Sequence, residues 1–259
     1  MKKAAVFVVA LCFGAIGWAG SSAALTILDD YIGAAPTPSS YYGKDIIGTL
    51  DGFGISKMEV NLLGGQFVVD IYGTYFDNIG EFKTQLGDLF ISTDGWNPVL
   101  PTELDNFFSG GEDWEFVIAL DDHLATSGVA SLYALDPTDP TGYRSDILLS
   151  EDVKDPIWSA FRQGQEVQYG GPADSWLTAG NWSVTDDMLR ISIDAMGLGW
   201  DFSDLDTLGY HYTMTCANDV IEGGGVPSPE PASLLLLGSG LLGLAVIGRG
   251  LGRKKRKSN

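Results

Sequence analysis

Three groups of residues have the types and spacing to do chemistry, or to have it done to them. The first is Pro229-Glu230-Pro231, directly ahead of an uncharged apolar run from Ala232 to Gly248 and the basic residues Arg249, Arg253, Lys254, Lys255, Arg256 and Lys257. Prolines at 227, 229 and 231 hold the backbone extended and outside any helix, the conformation in which a processing enzyme meets a peptide bond. The second is a pair of oxygen-rich turns, Asp136-x-x-Asp139 and Asp201-Phe202-Ser203-Asp204-Leu205-Asp206. Asp136, Asp139, Asp204 and Asp206 are candidate calcium ligands by chemistry. Neither run has the spaced ligands and central glycine of an EF-hand loop, so a turn capping its own backbone is the default. The third is Trp96 and Trp176, which sit beside turn residues. Exposed indole faces are what sugar rings stack on, with nearby carboxylates and amides accepting from hydroxyls.

Catalytic constellations are scarce. The chain has no Gly-x-Ser-x-Gly, no His-Glu-x-x-His, no phosphate-cradling glycine loop with lysine and no Cys-x-x-Cys. His123 and His211 are the only imidazoles, and no catalytic residue is assigned. The 34 acidic residues leave carboxylate pairs for glycoside hydrolysis open, because their spacing in three dimensions is not legible. No cofactor is expected apart from the candidate calcium.

The tail can be read physically. As helix, Ala232 to Gly248 spans roughly 25 Å, just under the hydrocarbon thickness of a bilayer. The run stops where lysine and arginine would enter lipid at about 2.5–3.5 kcal/mol each, so the basic stop belongs on the cytoplasmic side. At the other end, Lys2-Lys3, an apolar run to about Ile16 and small residues up to Ala24 make a signal peptide cleaved after Ala24. The division is therefore residues 1–24 as signal peptide, 25–225 as an exported domain and 226–259 as a membrane-spanning tail. Cys12 leaves with the signal, so Cys216 is the single thiol of the mature chain and an internal disulfide is excluded.

Together the proline motif, apolar run and basic stop resemble the PEP-CTERM signal read by exosortases, the Gram-negative counterpart of the LPXTG tail read by sortases. The resemblance covers Val226 to Asn259. It implies an exosortase as processing partner, a transient hold in the inner membrane with the domain in the periplasm, and then the cell surface or extracellular matrix. Two internal stretches, Gly87 to Trp96 and Thr215 to Ile221, resemble segments of other exported PEP-CTERM proteins of unassigned function. In those segments glycine follows the cysteine. Ala217 stands there in this chain, which argues against a backbone need for glycine.

Charge is sharply divided. Between Asp29 and Glu230 lie all 34 acidic residues but only seven basic ones, a net charge of −27 against −19 for the whole chain. Such a surface repels phosphate backbones, excluding nucleic acid as a partner, and attracts divalent cations.

The elements that carry these residues read as strands. Phe67, Val69 and Ile71 alternate with polar or outward positions, as do Leu189, Ile191 and Ile193. Similar short runs occur at Ser56 to Leu62, Asp88 to Thr93, Trp114 to Leu120, Val129 to Leu135, Asp146 to Leu148, Glu166 to Tyr169 and Tyr210 to Thr215, separated by Gly, Asn, Asp and Pro clusters. The pattern predicts an all-β antiparallel sandwich of jelly-roll type, with one helix near Asp155 to Gln163. The function that follows is a non-enzymatic exported surface or matrix protein of an exopolysaccharide-producing Gram-negative bacterium, in contact with glycan. A secreted polysaccharide-acting hydrolase or lyase is the alternative.

Overall fold

The computed structural model describes residues 24–34, 36–110, 113–136, 145–153, 160–194 and 208–224. The signal segment, the proline motif, the apolar run, the basic stop, Asp139, Asp204 and Asp206 lie outside the described residues. Among the described residues no helix is long and apolar enough to cross a membrane.

The described chain is built from β1 (Ala24–Leu28), β2 (Pro36–Thr37), β3 (Ile55–Leu63), β4 (Gln66–Gly73), β5 (Leu89–Ser92), β6 (Phe116–Leu120), β7 (Ser127–Ala134), β8 (Ile147–Leu149), β9 (Phe161–Arg162), β10 (Glu166–Tyr169), β11 (Trp176–Thr185), β12 (Met188–Asp194), β13 (Gly209–Thr213) and β14 (Val220–Gly224). Alternation explains the central pairing. Phe67, Val69 and Ile71 of β4 face Ile193, Ile191 and Leu189 of β12, and all six are fully buried. The outward register partners Asp70 and Arg190 form a two-pronged ion pair, with Nε–Oδ1 at 2.6 Å and Nη2–Oδ2 at 2.7 Å.

Ten strands hydrogen-bond in the order β1-β3-β4-β12-β11-β7-β6-β5-β13-β14, and β2/β9 and β8/β10 form two small ribbons. The all-β antiparallel expectation holds at this level. In place of two facing sheets, however, the order is continuous and the sheet curls until β14 packs against β1 and β3, nearly closing a barrel. Gly223 helps make that seam: a Cβ there would sit 2.6 Å from Ile27 Cγ2. Alternation identifies an inner face, but it does not say whether the facing layer is a second sheet or the same sheet returning.

The helix expected near Asp155 to Gln163 fails where it can be examined. Phe161–Arg162 is strand β9, paired with Pro36–Thr37, and residues 154–159 lie outside the described residues. The extended backbone delivers Arg162 into the interior, where it is 1 % exposed.

Ala217 also corrects the sequence reading. Its φ is +46°, in the left-handed region, so the turn between β13 and β14 does favour glycine there. Relieving the Cβ clash gains about 1–2 kcal/mol, and the freer unfolded chain takes back about 0.4–1. Ala217→Gly should therefore stabilise the protein by about 0.5–1 kcal/mol in urea unfolding. A lower midpoint would show that the turn tolerates alanine without strain. Gly87, in the other resembling segment, has a different need: a Cβ there would collide with the Thr213 carbonyl.

Candidate functional site

The densest chemistry inside the domain surrounds His211 on β13, a side chain with no solvent exposure. Its register partner on β14 is Glu222, whose Oε2 lies 2.9 Å from His211 Nδ1. On its other side, Nε2 lies 2.8 Å from the Glu166 backbone carbonyl and 3.9 Å from Glu166 Oε2. Glu222 Oε1 accepts from the Trp96 indole at 3.0 Å. The rings of Phe90 and Trp114 stand 5.9 and 5.6 Å from the imidazole, closing it off. Nearby, Tyr31 donates to Asp105 Oδ2 at 3.1 Å. Tyr31, Asp105, Gln165, Glu166 and Glu222 help line a pocket of about 10 Å³, room for about one water molecule.

Burial pushes the Glu166 carboxyl up to about 7, against the pull of His211 in the opposite direction. A carboxyl raised on folding holds a proton that the unfolded chain has released. Its effect on stability is therefore nil below about pH 4.5, turns unfavourable between about 4.5 and 7, and stays so above. The full cost is of the order of 3 kcal/mol. Glu166→Gln should accordingly match the parent at pH 4 and exceed it in urea resistance at pH 8. Equal midpoints at pH 8 would contradict this.

A second cluster lies at the seam. Asp29 directly follows β1, Asp219 directly precedes β14, and Asp45 comes from the intervening loop. One carboxylate oxygen from each lies within 4.8 Å of the others. Burial, then the neighbouring carboxylates, raise the Asp29 carboxyl. Asp219 is likewise raised, first by burial. Arg162 is close by, but its guanidinium is spent on main-chain carbonyls: those of Ile32, Lys44, Asp45, Ala217 and Asn218. This cluster carries no spacing signal in the sequence, since its members come together only when the sheet curls round.

The residues singled out from sequence disperse. Asp136 is exposed, and its backbone N–H donates to Asp146 Oδ2 at 2.9 Å, so the carboxylate that caps this turn is that of Asp146. Trp96 is 38 % exposed, with its N–H committed to Glu222. Trp176 is 51 % exposed at the start of β11, opposite Tyr133, whose ring stacks on Tyr169 at 4.4 Å. The two indoles thus sit in different surroundings. His123 Nε2 is 2.8 Å from Asp88 Oδ1, and Asp88 also accepts from the N–H groups of Leu120 and Tyr169. Burial would lower the imidazole's pKa, but the hydrogen bond and charge of Asp88 leave it raised. Cys216 is buried 3.0 Å from Thr84 Oγ1, its thiol pushed up to about 11 by burial, which disfavours the reactive thiolate.

Comparison with known families reaches the tail. Residues 229–256 match the model of the PEP-CTERM protein-sorting motif. The chain carries a PEP-CTERM sorting signal. Pro229, Glu230, Pro231 and the basic residues through Arg256 fall within the match. The motif implies an exported protein, held transiently in the membrane by its C-terminal tail and processed by an exosortase. No curated protein and no solved structure matches the chain.

Proposed function

We propose that this chain is a non-enzymatic surface or matrix protein of an exopolysaccharide-producing Gram-negative bacterium. A signal peptide over residues 1–24 exports it, the span 232–248 with its basic stop holds it in the inner membrane, and an exosortase releases it. The PEP-CTERM match over residues 229–256 carries this reading. The interior chemistry is consistent with it. Both ring nitrogens of His211 are engaged, and the pocket beside Glu166 and Glu222 has room for a water but not for a sugar ring. The alternative is a secreted polysaccharide-acting enzyme, whose carboxylate pair would have to lie outside this pocket.

Contact with glycan falls more naturally to Trp176 than to Trp96. Trp176 is the register partner of Tyr133, whose ring stacks on Tyr169, and Ser175 is hydrogen-bonded to Tyr169 at 2.5 Å, which gathers aromatic and hydroxyl side chains around the start of β11. Fractionating the native host with and without its exosortase tests the sorting reading. The protein should reach the surface or matrix in the first case and accumulate in the inner membrane in the second. The same destination in both strains would overturn it.

A further inference from the structure

The acidic cluster at the seam has an observation beyond its charge. Both carboxylate oxygens of Asp29 and Oδ1 of Asp45 are sealed from solvent, and among the described residues no group donates to them. Asn218, adjacent to Asp219 and only 3 % exposed, adds a further sealed and unpartnered acceptor, Oδ1. Arg162, the buried cation beside them, gives its N–H groups to carbonyls and none to these carboxylates. Unsatisfied buried acceptors cost about 1–3 kcal/mol each, more when charged, so the unpartnered Asp29 and Asp45 oxygens, gathered with Asp219 within 4.8 Å, suit a cationic partner.

We propose that Asp29, Asp45 and Asp219 bind one calcium ion that clamps the seam between β1 and β14. The ligand set is all hard oxygen, without the histidine or cysteine that would favour zinc. Oxygens within 4.8 Å of one another suit ligands about 2.3–2.6 Å from a shared ion, whereas magnesium demands about 2.0–2.1 Å and a tighter octahedron. The three residues sit on three separate segments: the end of β1, the loop reaching Ile47, and the turn into β14. An ion there joins the two terminal strands of a sheet whose order leaves them without hydrogen bonds to each other. The proposal goes beyond the sorting reading and does not depend on it, though export brings the chain to compartments where calcium is millimolar. Affinity at about 10⁻⁴–10⁻³ M, usual for extracellular modules, would suffice.

The test uses the full chain in detergent, stripped with chelator, and follows calcium titration by calorimetry and thermal unfolding. Calcium should bind saturably with one-to-one stoichiometry in calorimetry and raise Tm with the logarithm of its concentration, by roughly 3–5 °C at ten times Kd. Magnesium should raise it much less. The informative variant is Asp29→Asn with Asp45→Asn, which leaves Asp219 to accept from the N–H groups of Ile55 and Val220. Removing two crowded carboxylates should leave calcium-free Tm equal or higher while abolishing the calcium shift, which separates lost binding from lost folding. No saturable binding in the parent, a Tm shift that persists in the double variant, or an equal response to magnesium would each overturn the proposal.

Discussion

Replacing Pro229, Glu230 and Pro231 by alanine is expected to trap the protein in the inner membrane at its uncleaved mass. The apolar run and basic stop remain, so insertion should proceed by the same hydropathy and charge asymmetry. Alanine removes both the fixed φ of the two prolines and the carboxylate of Glu230. The processing enzyme then loses its motif side chains. The effect should be close to all-or-none: parent in the surface or matrix fraction, variant in the membrane fraction. Matching fractions and matching masses would mean that the segment is an ordinary anchor. Removing Arg253 to Lys257 acts differently. It takes away the basic stop and should lower retention of the precursor.

Arg162→Lys should be among the most damaging single changes in the folded domain. The guanidinium sits 1 % exposed with five main-chain carbonyls as acceptors, including Nη1 to Asn218 O and Nη2 to Lys44 O, both at 2.7 Å. These carbonyls belong to three segments, at Ile32, Lys44-Asp45 and Ala217-Asn218. A lysine offers three donors from one point and cannot satisfy a planar array of five acceptors. At least two of the five charge-assisted hydrogen bonds are lost, at about 1–3 kcal/mol each, although Ala217 O and Asn218 O keep main-chain donors in Arg162 N and Ile47 N. The loss of roughly 2–5 kcal/mol is a large part of the usual 5–15, and at an m of about 1–3 kcal/mol/M it lowers the urea midpoint by about 1–3 M. A midpoint unchanged from the parent would show that the arginine's hydrogen bonds contribute little.

What could be read from the sequence was what depends on near neighbours. Alternating Phe67, Val69 and Ile71, and Leu189, Ile191 and Ile193, fixed β4 and β12 because period two survives any sheet order. Strand β11 gave no such signal: Trp176-Leu177-Thr178-Ala179-Gly180-Asn181 has little apolar alternation and is mostly half-exposed. β14, Val-Ile-Glu-Gly-Gly, ends in glycines that read as a turn but serve close packing at the seam. Pairings such as β5 with β13 are set by long-range closure and leave no local trace. The same holds for Asp29, Asp45 and Asp219, while the sequence drew attention to Asp136, whose main-chain N–H is capped by Asp146. Arg162 fell within the expected helix because an isolated arginine between Phe161 and Gln163 carries no mark of its eventual burial. Ala217 misled for a simpler reason, since the residue type did not betray the left-handed backbone beneath it.

The most direct measurement is the intact mass of the protein recovered from the surface or matrix of its native host. The account predicts a chain that begins near Leu25 and lacks Arg249 to Asn259, the basic stop having been left behind on processing at the Pro229-Glu230-Pro231 tail. A surface-located protein that retains Arg253-Lys254-Lys255-Arg256-Lys257 through Asn259 would contradict it.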